Sequence, residues 1–344
     1  MIRTGRSRSF VVAGLVMALP LVLAGCGGGG ASGQENGGQP VSGEIRIEGS
    51  STVQPITQAA AELFREESPD ARISVGGSGT SDGFEAFCKG ETEISDASRP
   101  IDVAEEVPVC EENGVDFIEI PVAYDCISVV VNKESNDWAT DITSEELKTM
   151  WEPAAEGKIN RWNQVRSSWP DRPLDLYGPG TESGTYDFFN ETIVGNEEEV
   201  NRSDYEASED DNVLVQGVAG DVNALGYFGY SYYENNTDKL NLLAVDGVKP
   251  TPETIRSGEY ILSRPLFIYV STDALKNNKA VESFVDFYLD NLDKVVLAAK
   301  YVTMPDSLEK EAYAQFEDRT TGTVFNADGK PKGGDLETAL KQSQ

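Results

Sequence analysis

Three short runs of hydroxyl residues and glycine are the part of this sequence best suited to chemistry: Ser50-Ser51-Thr52, Ser78-Gly79-Thr80-Ser81 and Ser183-Gly184-Thr185. Each follows a strand-like stretch and precedes a helix-like one. Hydroxyls supply donors, and the first turn of a helix leaves its N–H groups without intrahelical partners. The helix dipole adds partial positive charge at the same end, and glycine lets a ligand approach the backbone. Three such ends converging would form a nearly neutral cradle for a tetrahedral oxyanion. One run alone commonly does no more than cap its helix. Three in one chain, two of them glycine-rich, point to a site.

Composition narrows the chemistry further. The 344 residues contain no histidine. That removes the usual general base, the commonest zinc ligand and every Ser-His-Asp arrangement. No GxSxG motif is present either, since Ser78 lies in Gly76-Gly77-Ser78-Gly79-Thr80. A serine hydrolase or phosphatase is therefore disfavoured. The net charge is −31, and residues 1–25 hold three arginines and no acids, so the remainder carries −34. Such a chain lacks the basic patch of a nucleic-acid partner. It also repels anions at long range, so any anion must be held by short-range donors. The acidic runs at 196–199 and 209–211 read as exposed loops. No cysteine or histidine cluster suggests a metal, and no cofactor is expected.

Alternating strand and helix patterns must position the runs. The spacing predicts strands at 44–48, 72–75, 117–121, 126–132, 174–177, 225–233 and 265–271. It predicts helices at 55–67, 84–89, 103–113, 186–194, 213–220, 280–289 and 292–301. Thr143-Ser144-Glu145-Glu146 reads as a capping box opening a helix through Trp151. The order implies an α/β fold with mostly parallel sheets. Of the cysteines beyond residue 26, Cys126 sits inside an apolar run, which leaves Cys88 and Cys110 as the expected disulfide. Closing that loop would contribute about 3 kcal/mol in the chain-entropy model.

The N-terminus reads as a secretory signal. Arg3, Arg6 and Arg8 precede an apolar segment from Phe10 to Ala24 that is short for a membrane span. Leu23-Ala24-Gly25-Cys26 resembles a lipobox, making Cys26 the expected lipidation site after removal of residues 1–25. Residues 26–43 are glycine-rich and polar, a flexible tether between lipid and folded body. The expected location is therefore the outer face of the cytoplasmic membrane.

Over most of the body the chain resembles the phosphate-binding component of the bacterial phosphate ABC transporter, the PstS family. The stretches that carry the resemblance are GSSTVQP from Gly49, GGSGTSDGF from Gly76, ISDASRPI from Ile94, PVAYDCISVVVN from Pro121, GPGTESGTYDFF from Gly178 and LGYFGYSYY from Leu225. The resemblance implies a two-lobed periplasmic-binding-protein fold with the ligand in the cleft. The lobes would be 44–130 plus 262–344, and 131–261. It implies a monomeric, non-enzymatic binding protein that hands inorganic phosphate to membrane permease subunits. Carried over, the ligand set is Ser51, Thr52, Ser78, Gly79, Thr80, Ser183, Gly184 and Thr185.

The chain departs from the family pattern at one point. The arginine usual four residues before the serine of the last motif is replaced by Pro179, so Arg99 is the expected substitute. The family also uses an aspartate to accept a proton from phosphate. A fixed carboxylate welcomes protonated phosphate and repels sulfate. Asp96 and Asp125 are the candidates, with Asp125 preferred because Ser98 falls nearer the usual acceptor position in the ISDASRPI segment. Sulfate or molybdate, or a sensing role for the same clamp, are the alternatives.

Overall fold

The computed structural model describes residues 41–134, 138–181, 183–195 and 200–344. The signal segment, Cys26, the tether up to residue 40, Glu182 and the acidic run at 196–199 lie outside the described residues. No described helix is long and apolar enough to cross a membrane.

The strands are β1 (Gly43–Gly49), β2 (Ala71–Val75), β3 (Ile94–Ala97), β4 (Phe117–Asn132), β5 (Asp141–Ile142), β6 (Asp175–Gly178), β7 (Glu206–Ala207), β8 (Ala224–Gly229), β9 (Leu240–Leu242), β10 (Ala244–Val245) and β11 (Ser263–Ser271). Nine of them form one sheet in the order β2-β1-β3-β11-β4-β8-β6-β7, with β9 also beside β4. β5 and β10 make a separate small ladder.

The sheet is mixed rather than mostly parallel. β1 runs parallel to β2 and β3, and β6 runs parallel to β7 and β8. β11, however, is antiparallel to both β3 and β4, and β4 is antiparallel to β8 and β9. The expectation of parallel pairing holds where consecutive strands are joined through a helix. It fails for β11, which returns from residue 263 to lie beside a strand that ended at residue 132.

The second correction concerns β4. Two strands are expected, at 117–121 and 126–132, yet the segment is one strand of sixteen residues, all buried. Pro121 does not interrupt it. The register with β11 shifts where Leu266 faces Ala123 and Phe267 faces Pro121. A shift of this kind accommodates a residue that lacks an N–H donor. The first part of β4 pairs with β11 as far as Cys126, and the rest pairs with β8 from Ile127 onward.

Local patterns explain the elements that frame the runs. In β1, Ile45 and Ile47 point inward while Glu44 and Arg46 are exposed, the period of a half-buried strand. The helix Gln54–Glu67 buries Ile56, Ala60, Ala61 and Phe64 on one face. Thr143 caps the helix Ser144–Trp151 through the reciprocal bonds of a capping box with Glu146. The helical stretch from Gly184 ends at Phe189, and Asn190–Val194 continues it as a π-turn.

Cys88 and Cys110 form the disulfide, closing a separation of 22 residues. Cys126 is a buried free thiol, and burial pushes its ionisation well up, which keeps it unreactive. Replacing both bonded cysteines with serine is expected to lower unfolding stability by roughly 2–4 kcal/mol. Denaturant titration of the double variant checks this, and an unchanged midpoint would refute the structural role.

Candidate functional site

The loop after β1 is drawn tight at its root. Gly49 has φ +141°, and a Cβ there would lie 2.0 Å from the Asp96 carbonyl oxygen. That carbonyl instead accepts a hydrogen bond from the Ser50 N–H. The Ser50 hydroxyl accepts from the N–H groups of Thr52 and Val53, so Ser50 satisfies the donors of the turn that leads into the helix. Ser51 and Thr52 are thereby left to face the cavity. The sequence predicts the run but assigns the capping to none of its members.

The second run turns on Gly79, at φ +107°, and opens the helix Thr80–Cys88. This helix packs directly on the end of β1, where a Cβ at Gly83 would lie 2.4 Å from Gly49 Cα. Phe84 fixes it from below through an edge contact with Tyr269, 4.8 Å between ring centroids. The Ser78 hydroxyl donates to Glu48 at 3.3 Å. Thr80 Oγ1 lies 3.0 Å from Ser98 Oγ and accepts from the Ser98 N–H. Ser98 thus belongs to the same wall.

Ser183 caps the third run by accepting from the Thr185 N–H. The helix Gly184–Phe189 rests on Phe189, which stacks on Tyr227 at 3.8 Å, with Trp151 closing the cluster at 4.8 Å from Tyr227. The first and third runs touch: a Cβ at Gly184 would lie 2.2 Å from Thr52 Oγ1.

Two cavities flank that contact. One, of about 270 Å³, is lined by Ser50, Ser51, Thr52, the residues 78–82, Ser98, Arg99, Asp187, Glu191 and Arg264. The other, of about 350 Å³, is lined by Ser51, Asp125, Ser183, Gly184, Thr185, Asp211 and a wall of tyrosines. Ser51 borders both. The three predicted runs are therefore brought together, with the third on the far side of Thr52.

The charged groups are arranged differently from expectation. Arg99 reaches the first cavity, but its guanidinium is already forked onto Glu106 at 2.7 and 2.9 Å and also donates to Ser81. The arginine at the junction of the runs is Arg264, at the start of β11. Its Nε lies 3.5 Å from Asp125 Oδ2, its Nη1 3.2 Å from Glu191, and its Nη2 donates to Thr52 Oγ1 at 3.3 Å. Its Cζ sits 3.9 Å over the Phe188 ring. Sequence reasoning missed Arg264. The available signal was a lone arginine at the entry to an otherwise apolar strand, LSRPLFIYV.

The two candidate aspartates separate cleanly. Asp96 is fully buried and faces the core, not a cavity. Its Oδ1 accepts from the Thr57 hydroxyl, whereas Oδ2 has no hydrogen-bond partner among the described residues. Burial pushes its pKa up to about 8. Asp125, pairing with Arg264 in the β4–β11 register, borders the second cavity. Burial raises its pKa and the Arg264 charge opposes that. Among the described residues, neither Asp125 Oδ2 nor Arg264 Nε meets a hydrogen-bond partner in good geometry. Two opposite charges thus face each other 3.5 Å apart as a loose ion pair, beside hydroxyls and backbone donors. Nearby Asp211 accepts from the Gly229 N–H, and burial lifts it to about 6.

Residues 34–291 match the PBP superfamily domain. The protein SphX of Synechocystis sp. is 46% identical over 289 residues, covering 83% of this chain and 85% of its own length. The phosphate-binding protein PstS of Staphylococcus haemolyticus is 38% identical over 302 residues, 86% of this chain and 92% of its own. The chain belongs to the PstS/SphX family. Among solved structures, it is similar to a possible phosphate-binding protein from Planctomyces limnophilus, with 41% identity and a TM-score of 0.76 over 81% of this chain and 99% of that one. A putative phosphate ABC transporter substrate-binding protein from Clostridium perfringens, solved with bound phosphate, is 27% identical with a TM-score of 0.53, over 76% and 100% of the two chains. The fold is thus the two-lobed binding-protein fold of this family.

The position of Asp96 has a measurable consequence for the folded body. Its carboxyl is protonated in the native state and ionised in the unfolded chain between the ordinary aspartate range and about pH 8. Unfolding then releases a proton, so stability contributed by this group is full at low pH and falls as pH rises through that window. The slope is up to about 1.4 kcal/mol per pH unit. Asp96→Asn is expected to remove it. Denaturant titrations of both proteins from pH 5 to 8 test this; parallel profiles would contradict it.

Proposed function

We propose that this protein binds inorganic phosphate outside the cytoplasmic membrane and delivers it to the permease subunits of an ABC transporter. The observation that carries the reading is the Arg264–Asp125 pair, separated by 3.5 Å and ringed by the three hydroxyl runs. A protonated phosphate matches both members. Its unprotonated oxygens accept from Arg264, the hydroxyls and the helix N–H groups, while its P–O–H donates to Asp125. Sulfate has no proton to offer and would leave the Asp125 charge unanswered. The names of the relatives and the phosphate-bound Clostridium perfringens structure support the same ligand.

In this reading the ligand set is Ser51, Thr52, Ser78, Gly79, Thr80, Ser98, Ser183, Gly184 and Thr185, with Asp125 as proton acceptor. Arg264 takes the part assigned to Arg99, whose bond with Glu106 makes it a support of the Ser98 wall. Asp96 acts through the fold alone. The lobes are 44–130 plus 262–344, and 131–261, and the protein performs no chemistry. Export, with lipidation at Cys26 and a tether to the folded body, places it where a permease can be reached.

Titration calorimetry with phosphate and sulfate tests the reading. Phosphate is expected to bind and sulfate to bind at least a hundredfold more weakly. Asp125→Asn is expected to cut that discrimination by tenfold or more, because the amide no longer rejects an unprotonated oxyanion, whereas Arg264→Gln is expected to weaken both anions by roughly two orders of magnitude, in keeping with about 2–5 kcal/mol for truncating one side of a buried charged contact. Equal affinity for the two anions in the unaltered protein, or no phosphate binding, would overturn the proposal.

A further inference from the structure

Arg264 does not wait for a ligand unpaired. Its Nε edge faces Asp125, its flat face lies on Phe188, and its outer edge is shared by Thr52 and Glu191. A guanidinium grips a tetrahedral oxyanion through two parallel N–H groups on one edge. The outer edge, Nη1 and Nη2, opens on the cavity lined by Ser51, Ser78 and Thr80, and Glu191 borders that cavity too.

Resting on the phosphate reading above, we infer that Glu191 is a resident counter-anion of Arg264, which a bound oxyanion must displace, so that Glu191 sets the affinity and the anion threshold of the cradle. Asp125 cannot play this part, because its side chain is 3% exposed and has nowhere to go, whereas that of Glu191 is 51% exposed and can swing into water. Water then solvates the released carboxylate, so displacement carries little desolvation cost.

The segment holding Glu191 favours such a change. Glu191 lies in the π-turn Asn190–Val194, and π-turns concentrate at functional sites. Its neighbour Asn190 is fully buried, yet neither atom of its side-chain amide has a hydrogen-bond partner among the described residues. An unsatisfied buried amide raises the energy of the arrangement in which it is found. The present seat of Glu191 is therefore held by the attraction of Arg264, not by a well-satisfied turn. Glu191 also lies within electrostatic reach of Arg99 and strengthens its charge.

The selective value follows from competition. An exposed, unpaired arginine would take up any small anion at hand. A resident carboxylate sets a threshold that a weakly coordinating anion does not cross, while an oxyanion gripped by several hydroxyls does.

Glu191→Gln keeps the shape and removes the charge. In calorimetric titration with phosphate, it is expected to bind roughly three- to tenfold more tightly than the unaltered protein, the scale of a partly exposed ion pair. Chloride is expected not to compete in the unaltered protein and to compete in the variant. Glu191→Asp, with its charge on a shorter arm, is expected to fall between the two. Equal or weaker phosphate binding by Glu191→Gln, with the unaltered protein binding normally, would overturn the inference while leaving the proposed function standing. If the unaltered protein fails to bind phosphate, the proposed function fails instead. The contact is then read without ligand from the arginine side-chain NMR signals: restricted rotation of the Arg264 Nη groups, freed in Glu191→Gln, supports the inference, and identical spectra overturn it.

Discussion

The rest of this molecule is arranged around one buried ion pair, Arg264 with Asp125. A chain of net charge −31 that handles an anion faces an electrostatic problem of its own making. Its long-range field pushes the ligand away, so attraction must be short-ranged and locally dense. In the proposed site a single arginine, its charge offset by a fixed aspartate, would leave hydroxyls and helix ends to do most of the holding. Those groups are directional and nearly neutral, and their donors do not depend on the charge of the surface around them.

That pair needs several distant parts of the sequence to meet. Arg264 arrives on β11, Asp125 on β4, Thr52 from the loop after β1, and Phe188 from the helix Gly184–Phe189. Aromatic packing sets the height of each contributor. Phe84 against Tyr269 seats the second run, and the Trp151–Phe189–Tyr227 cluster seats the third. Close glycine contacts at Gly49, Gly83 and Gly184 then bring backbones near enough for hydroxyls to share a cavity wall. The core specifies the site through these seats.

Much of this was legible in the residues. The three runs, the capping box at Thr143, the pairing of Cys88 with Cys110 and most strand and helix positions follow from local patterns, and the structure agrees with them. What local patterns do not carry is long-range register. Arg264 sits opposite Asp125 only because two strands 139 positions apart run antiparallel, and no short window of sequence holds that fact. Arg99 is more conspicuous in sequence, within ASRP, yet Glu106 occupies it. The continuity of β4 through Pro121 was hidden for a similar reason, since the register shift that permits it is a property of the partner strand as well. Which of Asp96 and Asp125 borders a cavity likewise depends on which way two buried side chains point.

The long strand β4 carries one more implication. It exchanges β11 for β8 between Cys126 and Ile127, immediately after Asp125. In the lobes proposed above the backbone crosses from one half to the other on this strand and again just before β11, so a swivel between the halves would turn about these two neighbouring crossings. Points on an axle have the smallest radius and move least. Asp125, with Arg264 held across from it, therefore lies close to the axis of any such swivel.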